Sequence, residues 1–204
     1  MSEIKHIWFD MSNTLLRPNE LHDQFLYATY AKAVGKPVSP ELIKEYGEMH
    51  KKYKSNSAVF TTGLGLPPGY WQDKVQSADF TKMYTLMSPA VPVVLAKLQE
   101  KFAVSVFSNM RPKEMLAQIG IDTSWFAHFL SGADFKNPKP ALDGFYKMVE
   151  ITGLPAENIL FVGDSVEKEM LPAKKVGMQT ALVWQESPEA DYSFKKFEDL
   201  LTLL

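Results

Sequence analysis

Polar side chains follow three apolar runs of this sequence, at the point where each run stops. Asp10 comes directly after the run 7–9, Ser108 and Asn109 end a second run, and Asp164 ends a third. A carboxylate can act as a nucleophile or bind a metal ion, and hydroxyl and amide groups donate hydrogen bonds to anions. If these residues meet, they supply much of what phosphoryl transfer needs.

Phosphoryl transfer also needs a cation, and two lysines, Lys136 and Lys139, lie between the second and third of these stretches. The first stretch also has a purely structural interpretation, in which Asp10 caps a turn and Thr14 begins a helix. Whether the polar residues meet therefore depends on the elements that carry them.

Strand and helix patterns alternate along residues 88–204, after a first strand pattern at 4–9. Strand patterns cover 103–108, 129–131, 159–163 and 180–184, and helical patterns cover 91–100, 113–119, 141–152 and 169–176. This alternation predicts βαβ units and an α/β fold, a doubly wound parallel sheet with a Rossmann-like core. In such a sheet the carboxyl ends of the strands face one crevice, which would bring the polar residues together. The apolar face of the tail 194–204 is predicted to dock on the sheet.

Residues 17–87 show no strand pattern. Helical spacing from 18 to 54 is broken at Gly35-Lys36-Pro37, a Gly- and Pro-rich loop covers 56–70, and 71–87 is weakly helical. We interpret 17–87 as an inserted, all-helical cap domain, and 1–16 with 88–204 as the core domain. Hinges are predicted near 16–18 and 87–92.

The composition excludes several classes of protein. The formal net charge is −2 and the basic residues are scattered, so nucleic acid is not the expected partner. The densest basic group, residues 51–54, is interpreted as a solvated helix face. Without cysteine there is no disulfide, thiolate metal site or cysteine nucleophile. No apolar run is long enough for a membrane span and no leader pattern is present, which favours a cytoplasmic protein without a membrane partner.

In four places the sequence resembles the motifs of the haloacid dehalogenase superfamily of aspartate-nucleophile hydrolases, in particular its phosphatase-like branch with a helical cap. The motifs, in order, are Phe9-Asp10-Met11-Ser12-Asn13-Thr14, Phe107-Ser108-Asn109, Lys139-Pro140, and Phe161-Val162-Gly163-Asp164-Ser165 with Glu169. The resemblance covers essentially the whole chain. The following Pro140 and the interval to the last motif favour Lys139 over Lys136.

The resemblance implies that Asp10 attacks phosphorus and forms an aspartyl-phosphate, which water then hydrolyses. Ser108, Asn109 and Lys139 would bind the phosphoryl group, and Lys139 would also offset the repulsion between Asp10 and an anionic substrate. The expected enzyme is a phosphoric monoester hydrolase that acts on a small phosphorylated metabolite.

The resemblance also implies a Mg²⁺ cofactor. The ion would be held by Asp10, the backbone carbonyl of Ser12, Asp164 and water molecules. Thr14 would fix the Asp10 side chain through a hydrogen bond, and Glu169 would order the water molecules on the metal.

Ser12 occupies a catalytic position at which phosphatases of this family usually carry a second aspartate. That aspartate protonates the leaving group and then activates water, which a serine hydroxyl cannot do near neutral pH. Loss of general acid–base catalysis typically costs about 10²- to 10⁴-fold. The metal site is expected to survive, because residue 12 contributes its carbonyl. Asn13 stands where glycine is commoner, and asparagine tolerates left-handed backbone geometry.

Two alternative functions follow from the same residues. One is a phosphate- or metabolite-binding protein of low turnover, which has lost the acid and kept the site. The other is a 2-haloacid dehalogenase, because those enzymes also lack the second aspartate, although Asp164 and Glu169 favour a metal site. The sequence leaves a monomer and a homodimer equally open.

Several residues of the inserted segment have both a functional and a structural interpretation. His22 and Asp23 could replace the missing acid, but the start of a surface helix explains them as well. Phe60, Tyr70 and Trp71 could line a stacking pocket or simply pack between cap and core.

Overall fold

The computed structural model describes residues 2–204, and its strands form two sheets. The smaller sheet consists of β2 and β3, and the larger one of the other six strands. In chain order the strands are β1 His6–Phe9, β2 Leu16–Pro18, β3 Tyr84–Leu86, β4 Ala103–Ser108, β5 Phe126–Ser131, β6 Ile159–Gly163, β7 Gln179–Val183 and β8 Tyr192–Phe194. The larger sheet has the order β5-β4-β1-β6-β7-β8, and all its neighbouring strands are parallel.

This order confirms the predicted doubly wound parallel sheet. The chain runs outward from β1 through β4 to β5, and then returns to the other side of β1 to build β6, β7 and β8. Every residue of β1 is buried, because helices cover both faces of the sheet. The change of direction places the crevice of a doubly wound fold at the carboxyl ends of β1 and β6.

Within residues 2–204, eight α-helices accompany the strands. They are α1 Glu20–Val34, α2 Pro40–Tyr53, α3 Asn56–Ala58, α4 Tyr70–Gln76, α5 Ala90–Leu98, α6 Pro112–Gln118, α7 Asp143–Thr152 and α8 Leu171–Lys175. The break predicted between the first two helices is confirmed, since Gly35 ends α1 with a φ of 71° and the Ser39 side chain caps α2.

The inserted segment differs from the prediction at its two ends. β2 and β3 form an antiparallel ribbon in which Leu16 pairs with Leu86 and Pro18 with Tyr84. Strands of three residues are too short to display an alternating pattern, so the sequence did not reveal them. The ribbon lies where the hinges were predicted, and the boundaries of a cap domain at 17 and 87 stay a prediction.

The C-terminal part also differs in detail. β8 was not predicted, and the region expected to be one helix from 169 begins as a π-helix, Val166–Met170, before α8. The tail is a 3₁₀-helix, Phe197–Leu203. Its predicted docking on the sheet is confirmed, because the Phe197 ring stacks on Trp184 at 5.6 Å between centroids and contacts Phe9 at 6.1 Å.

Candidate active site

A cavity of about 220 Å³ opens at the carboxyl ends of β1, β4 and β6. Its core side is lined by the residues selected from the sequence: Asp10, Ser12, Ser108, Asn109, Lys139 and Asp164, together with Glu169. Its other side is lined by residues of the inserted segment: His22, His50, Ser55, Ser57, Trp71 and Tyr84. The structure therefore brings together residues from all four motifs.

Lys139 is the centre of the polar contacts in this cavity. Its Nζ atom donates to Asp10 Oδ1 at 2.5 Å, to Glu169 Oε1 at 2.8 Å and to the carbonyl of Phe107 at 3.2 Å. The side chain is almost fully buried, whereas Lys136 is exposed. The structure thus brings Lys139, and not Lys136, to the candidate nucleophile.

Asn109 holds the backbone of Lys139 in place. Its side chain accepts a hydrogen bond from the Lys139 backbone N–H at 2.8 Å and donates one to the Lys139 carbonyl at 3.0 Å. Both ends of the amide are therefore occupied within the protein. The hydroxyl of Ser108 accepts a hydrogen bond from the backbone N–H of Met110 at 3.2 Å, which leaves its own proton available for an anion in the cavity.

Glu169 joins Lys139 to the end of β6. Its Oε2 atom accepts hydrogen bonds from the backbone N–H groups of Asp164 at 3.1 Å and Ser165 at 3.2 Å. Glycine is required at position 163, because a Cβ atom there would lie 2.1 Å from Glu169 Oε2. The Gly163-Asp164 pair of the last motif is thus explained by close packing against the glutamate.

Three carboxylates line the cavity, those of Asp10, Asp164 and Glu169, against the two lysines Lys139 and Lys168. Burial, together with the neighbouring Asp10 carboxylate, raises the pKa of Asp164 to about 6 and that of Glu169 to about 8. Burial alone would lower the pKa of Lys139, but the carboxylates of Asp10 and Glu169 raise it above its ordinary value. A site with these shifts favours the binding of a further cation.

The residues present fit a divalent metal ion. Asp10, Asp164 and Glu169 each offer a carboxylate oxygen, and these oxygens all lie within 4.8 Å of one another. The Asp164 carboxylate forms no ion pair and no hydrogen bond with another side chain of residues 2–204, so its oxygens can take up a ligand. Oxygen-only donors are typical of sites for hard cations.

The loop after β1 differs from the prediction at one residue. Asn13 has a φ of 63°, in the left-handed region that asparagine tolerates. Thr14, however, does not form the predicted hydrogen bond to Asp10, because its buried Oγ1 atom has no partner among residues 2–204. Asp10 is held instead by Lys139, and its backbone N–H donates to Val162 at 2.9 Å.

The structure also distinguishes the interpretations of the inserted segment. His22 is buried and lines the cavity, so it does not belong to a surface face of α1. Phe60 and Trp71 stack on each other at 5.4 Å and are both buried, as expected for packing, although Trp71 also lines the cavity. Sequence reasoning missed Ser57 and Gln72, which both donate to the Asn109 carbonyl, because no local pattern marks such residues.

Comparison with known proteins agrees with this fold. Residues 4–177 match the family described as haloacid dehalogenase-like hydrolases. A glyceraldehyde 3-phosphate phosphatase of Methanocaldococcus jannaschii is 29% identical over 98 residues, which span 45% of this chain and 42% of that protein. The phosphatase of the same name from Pyrococcus furiosus is 26% identical over 98% of this chain and 89% of its own length. The structure is also similar to the solved structure of a HAD phosphatase from Thermococcus onnurineus, with a TM-score of 0.76 and 18% sequence identity. The superposition covers 98% of this chain and 97% of that one.

The chain belongs to the haloacid dehalogenase-like hydrolases, since the family match spans most of its length. This assignment confirms the family that the four motifs predicted. Among residues 2–204, no helix combines the length and the apolar character that a membrane span requires.

Proposed function

We propose that this protein is a Mg²⁺-dependent phosphatase that uses Asp10 as its nucleophile and acts on a small phosphorylated metabolite. The observation that carries the proposal is the position of the Asp10 carboxylate. It lies at the end of β1, where one of its oxygens accepts a hydrogen bond from Lys139 and the Asp164 carboxylate lies nearby. It faces a cavity that is lined on one side by the core and on the other by the inserted segment. Both relatives described above are named as phosphatases of a three-carbon phosphate, which agrees with the proposal.

Lys139 and Ser108 are proposed to bind the phosphoryl group. The Lys139 ammonium lies between the nucleophile and Glu169, so it can offset the repulsion between Asp10 and phosphate oxygens as they approach. The Ser108 hydroxyl can donate to one of these oxygens. Asn109 is proposed to act chiefly by fixing Lys139, because both ends of its side chain are occupied by the Lys139 backbone.

Asp10, Asp164 and the backbone carbonyl of Ser12 are proposed to hold Mg²⁺. When bound, the ion would neutralise charge on the phosphate oxygens. Glu169 is proposed to support the site by fixing the backbone at Asp164 and the ammonium of Lys139, since its two oxygens are engaged with these groups.

The inserted segment 17–87 is proposed to act as a cap that closes the cavity. Two ion pairs join it to the core, Arg111 with Asp73 at 2.6 Å and Lys54 with Glu167 at 2.9 Å. The Asn109 carbonyl also accepts hydrogen bonds from two cap side chains. Apolar side chains of both parts, among them Phe80 and Met115, also belong to one buried cluster, so opening of the cap would have to separate apolar as well as polar contacts. The cavity of about 220 Å³ suits a ligand of a few carbons.

The carboxylate cluster favours phosphate chemistry over the hydrolysis of haloacids. A haloacid substrate carries one negative charge and needs no metal ion, so it offers no reason to gather three carboxylates. A binding protein of low turnover would keep the same cluster, and only activity separates that function from a phosphatase.

The proposal is tested by a hydrolysis screen over phosphorylated sugars, nucleotides and small acids, glyceraldehyde 3-phosphate included, with and without Mg²⁺. We expect phosphate release that depends on Mg²⁺ and is lost in Asp10→Asn. Binding of phosphate esters without any release, in the wild-type protein, would instead support the binding protein.

A further inference from the structure

We propose that His22 is the acid and base of the reaction and takes the place of the aspartate that Ser12 replaces. The inference rests on the proposed phosphatase function and adds a catalytic residue to it. Three observations support it. The His22 ring lies in the cavity, its Nδ1 atom is hydrogen-bonded to Asp23, and its Nε2 atom has no hydrogen-bond partner in residues 2–204.

The His22 ring is fixed within the cavity that holds Asp10 and Ser12. It is buried between two aromatic side chains, with the rings of Trp71 at 5.9 Å and Tyr84 at 5.2 Å in edge-to-face orientation. These contacts come from α4 and β3, so three separate parts of the inserted segment determine where the imidazole lies.

The backbone that carries His22 is also fixed. Asn19 caps α1, and its Oδ1 atom accepts from the backbone N–H groups of Leu21 at 3.0 Å and His22 at 3.4 Å. The same side chain donates to the carbonyl of Lys82 at 2.7 Å, beside β3. The first turn of α1 is therefore tied to the ribbon that connects the inserted segment to the core.

Asp23 determines which nitrogen of His22 can exchange protons in the cavity. The His22 Nδ1 atom lies 3.0 Å from Asp23 Oδ1. A carboxylate can only accept, so Nδ1 carries a proton and Nε2 is the nitrogen left to face the cavity. In the part of the chain that the structure describes, Nε2 has no hydrogen-bond partner, and it is not among the fully enclosed polar atoms. An imidazole oriented by a carboxylate is a common general acid and base, because it exchanges a proton near neutral pH.

The proposed steps balance in atoms and charge. As an Asp10 oxygen bonds to phosphorus, the bond to the leaving oxygen breaks, and that oxygen takes the proton from Nε2 of the His22 imidazolium. The neutral Nε2 then accepts a proton from water as the water oxygen bonds to phosphorus and the bond to Asp10 breaks. Phosphate leaves, and the Asp10 carboxylate and the His22 imidazolium are restored. Asp23 accepts from Nδ1 throughout and is a positioning residue.

The test compares His22→Gln with the wild-type protein on an alkyl phosphate and on 4-nitrophenyl phosphate, whose leaving group needs no proton. We expect His22→Gln to lower kcat/KM, which reports the phosphorylation step, by about 10²-fold or more on the alkyl phosphate and by much less on 4-nitrophenyl phosphate. Phosphoenzyme should accumulate in this variant in rapid-quench experiments, because the second step lacks its base. Ser12→Asp in the His22→Gln background should restore turnover, since it returns an acid to position 12.

Two further variants separate chemistry from structure. His50→Gln changes another histidine of the cavity wall and should alter the rates on both substrates by the same factor. Asp23→Asn changes an exposed side chain, so it should fold normally, and it should lower kcat/KM selectively on the alkyl phosphate. This second variant keeps the test valid if His22→Gln does not fold.

Each outcome decides the proposal. Equal losses of kcat/KM on the two substrates in both His22→Gln and Asp23→Asn, or no loss, would overturn the role of His22 while the wild-type activity upholds the phosphatase. A wild-type protein without any turnover or phosphoenzyme would overturn the phosphatase and, with it, the role of His22.

Discussion

Lys139 Nζ lies 2.5 Å from Asp10 Oδ1, although 129 residues separate the two in the chain. The ammonium also contacts Glu169, and the aromatic rings of Phe107 and Phe161 lie within 5.4 Å of it. This buried cation therefore joins the end of β1 to the end of β6. It is the contact on which the charge balance of the site depends.

Lys139→Ala should abolish tight binding of phosphate, because it removes the cation and leaves two buried carboxylates that repel an anion. Removing one partner of a buried pair also costs about 3–5 kcal/mol of unfolding free energy. The matched control is Lys136→Ala, which changes an exposed lysine and should have little effect on either quantity. Calorimetry with phosphate and chemical denaturation measure both effects. A greater effect of the Lys136 change would show that the third motif is misplaced.

Asp164→Asn should abolish Mg²⁺ binding, because it removes the carboxylate that completes the pair with Asp10. Glu189→Gln is a suitable control, since it removes an exposed acid elsewhere on the surface. Titration calorimetry with Mg²⁺ measures the affinity. Unchanged affinity in Asp164→Asn would contradict the proposed metal site.

Gly163→Ala should destabilise the protein and lower activity, because the new Cβ would meet Glu169 Oε2 at 2.1 Å and the glutamate would have to leave Lys139. Gly47→Ala is the control, and it is expected to stabilise the protein. Gly47 lies inside α2 with nothing within 4 Å of a new Cβ, so alanine should stabilise the protein by about 0.5–1 kcal/mol. Thermal denaturation and initial rates measure both variants, and a harmless Gly163→Ala would refute the packing argument.

His6 should make the stability of the protein depend on pH. It is buried on β1 beside Ser105, and burial, with a contribution from His128, lowers its pKa from 6.5 to about 4. Between these values the unfolded chain binds the proton and the folded protein does not, so the free energy of unfolding falls as the pH falls from about 6.5 to 4. At pH 5 the expected loss from this group, relative to pH 7, is about 2 kcal/mol.

The comparison for this prediction is His6→Gln, which has no titrating ring. Chemical denaturation at pH 7 and pH 5 should show a smaller loss in the variant than in the wild-type protein. Equal losses would mean that His6 does not remain neutral in the folded state.

The sequence was sufficient for the doubly wound core and for the residues that meet at its edge, because long strands and helices carry a clear period and parallel strands share one carboxyl edge. It was insufficient where a contact depends on distant segments. The ribbon at Leu16 and Leu86 is too short to show a period, and the side chain of Asn109 bonds to the backbone of Lys139, 30 residues away. The burial of His22 likewise depends on rings from two other elements.

The central claim is that Asp10 is the nucleophile, and trapping the phosphoenzyme tests it most directly. The protein is mixed with a phosphorylated substrate and Mg²⁺, quenched in acid within milliseconds, digested and analysed by mass spectrometry. We predict that phosphate is attached to Asp10 in the wild-type protein and that Asp10→Asn shows neither this attachment nor turnover. Phosphate on another residue, or full turnover by Asp10→Asn, would contradict the account.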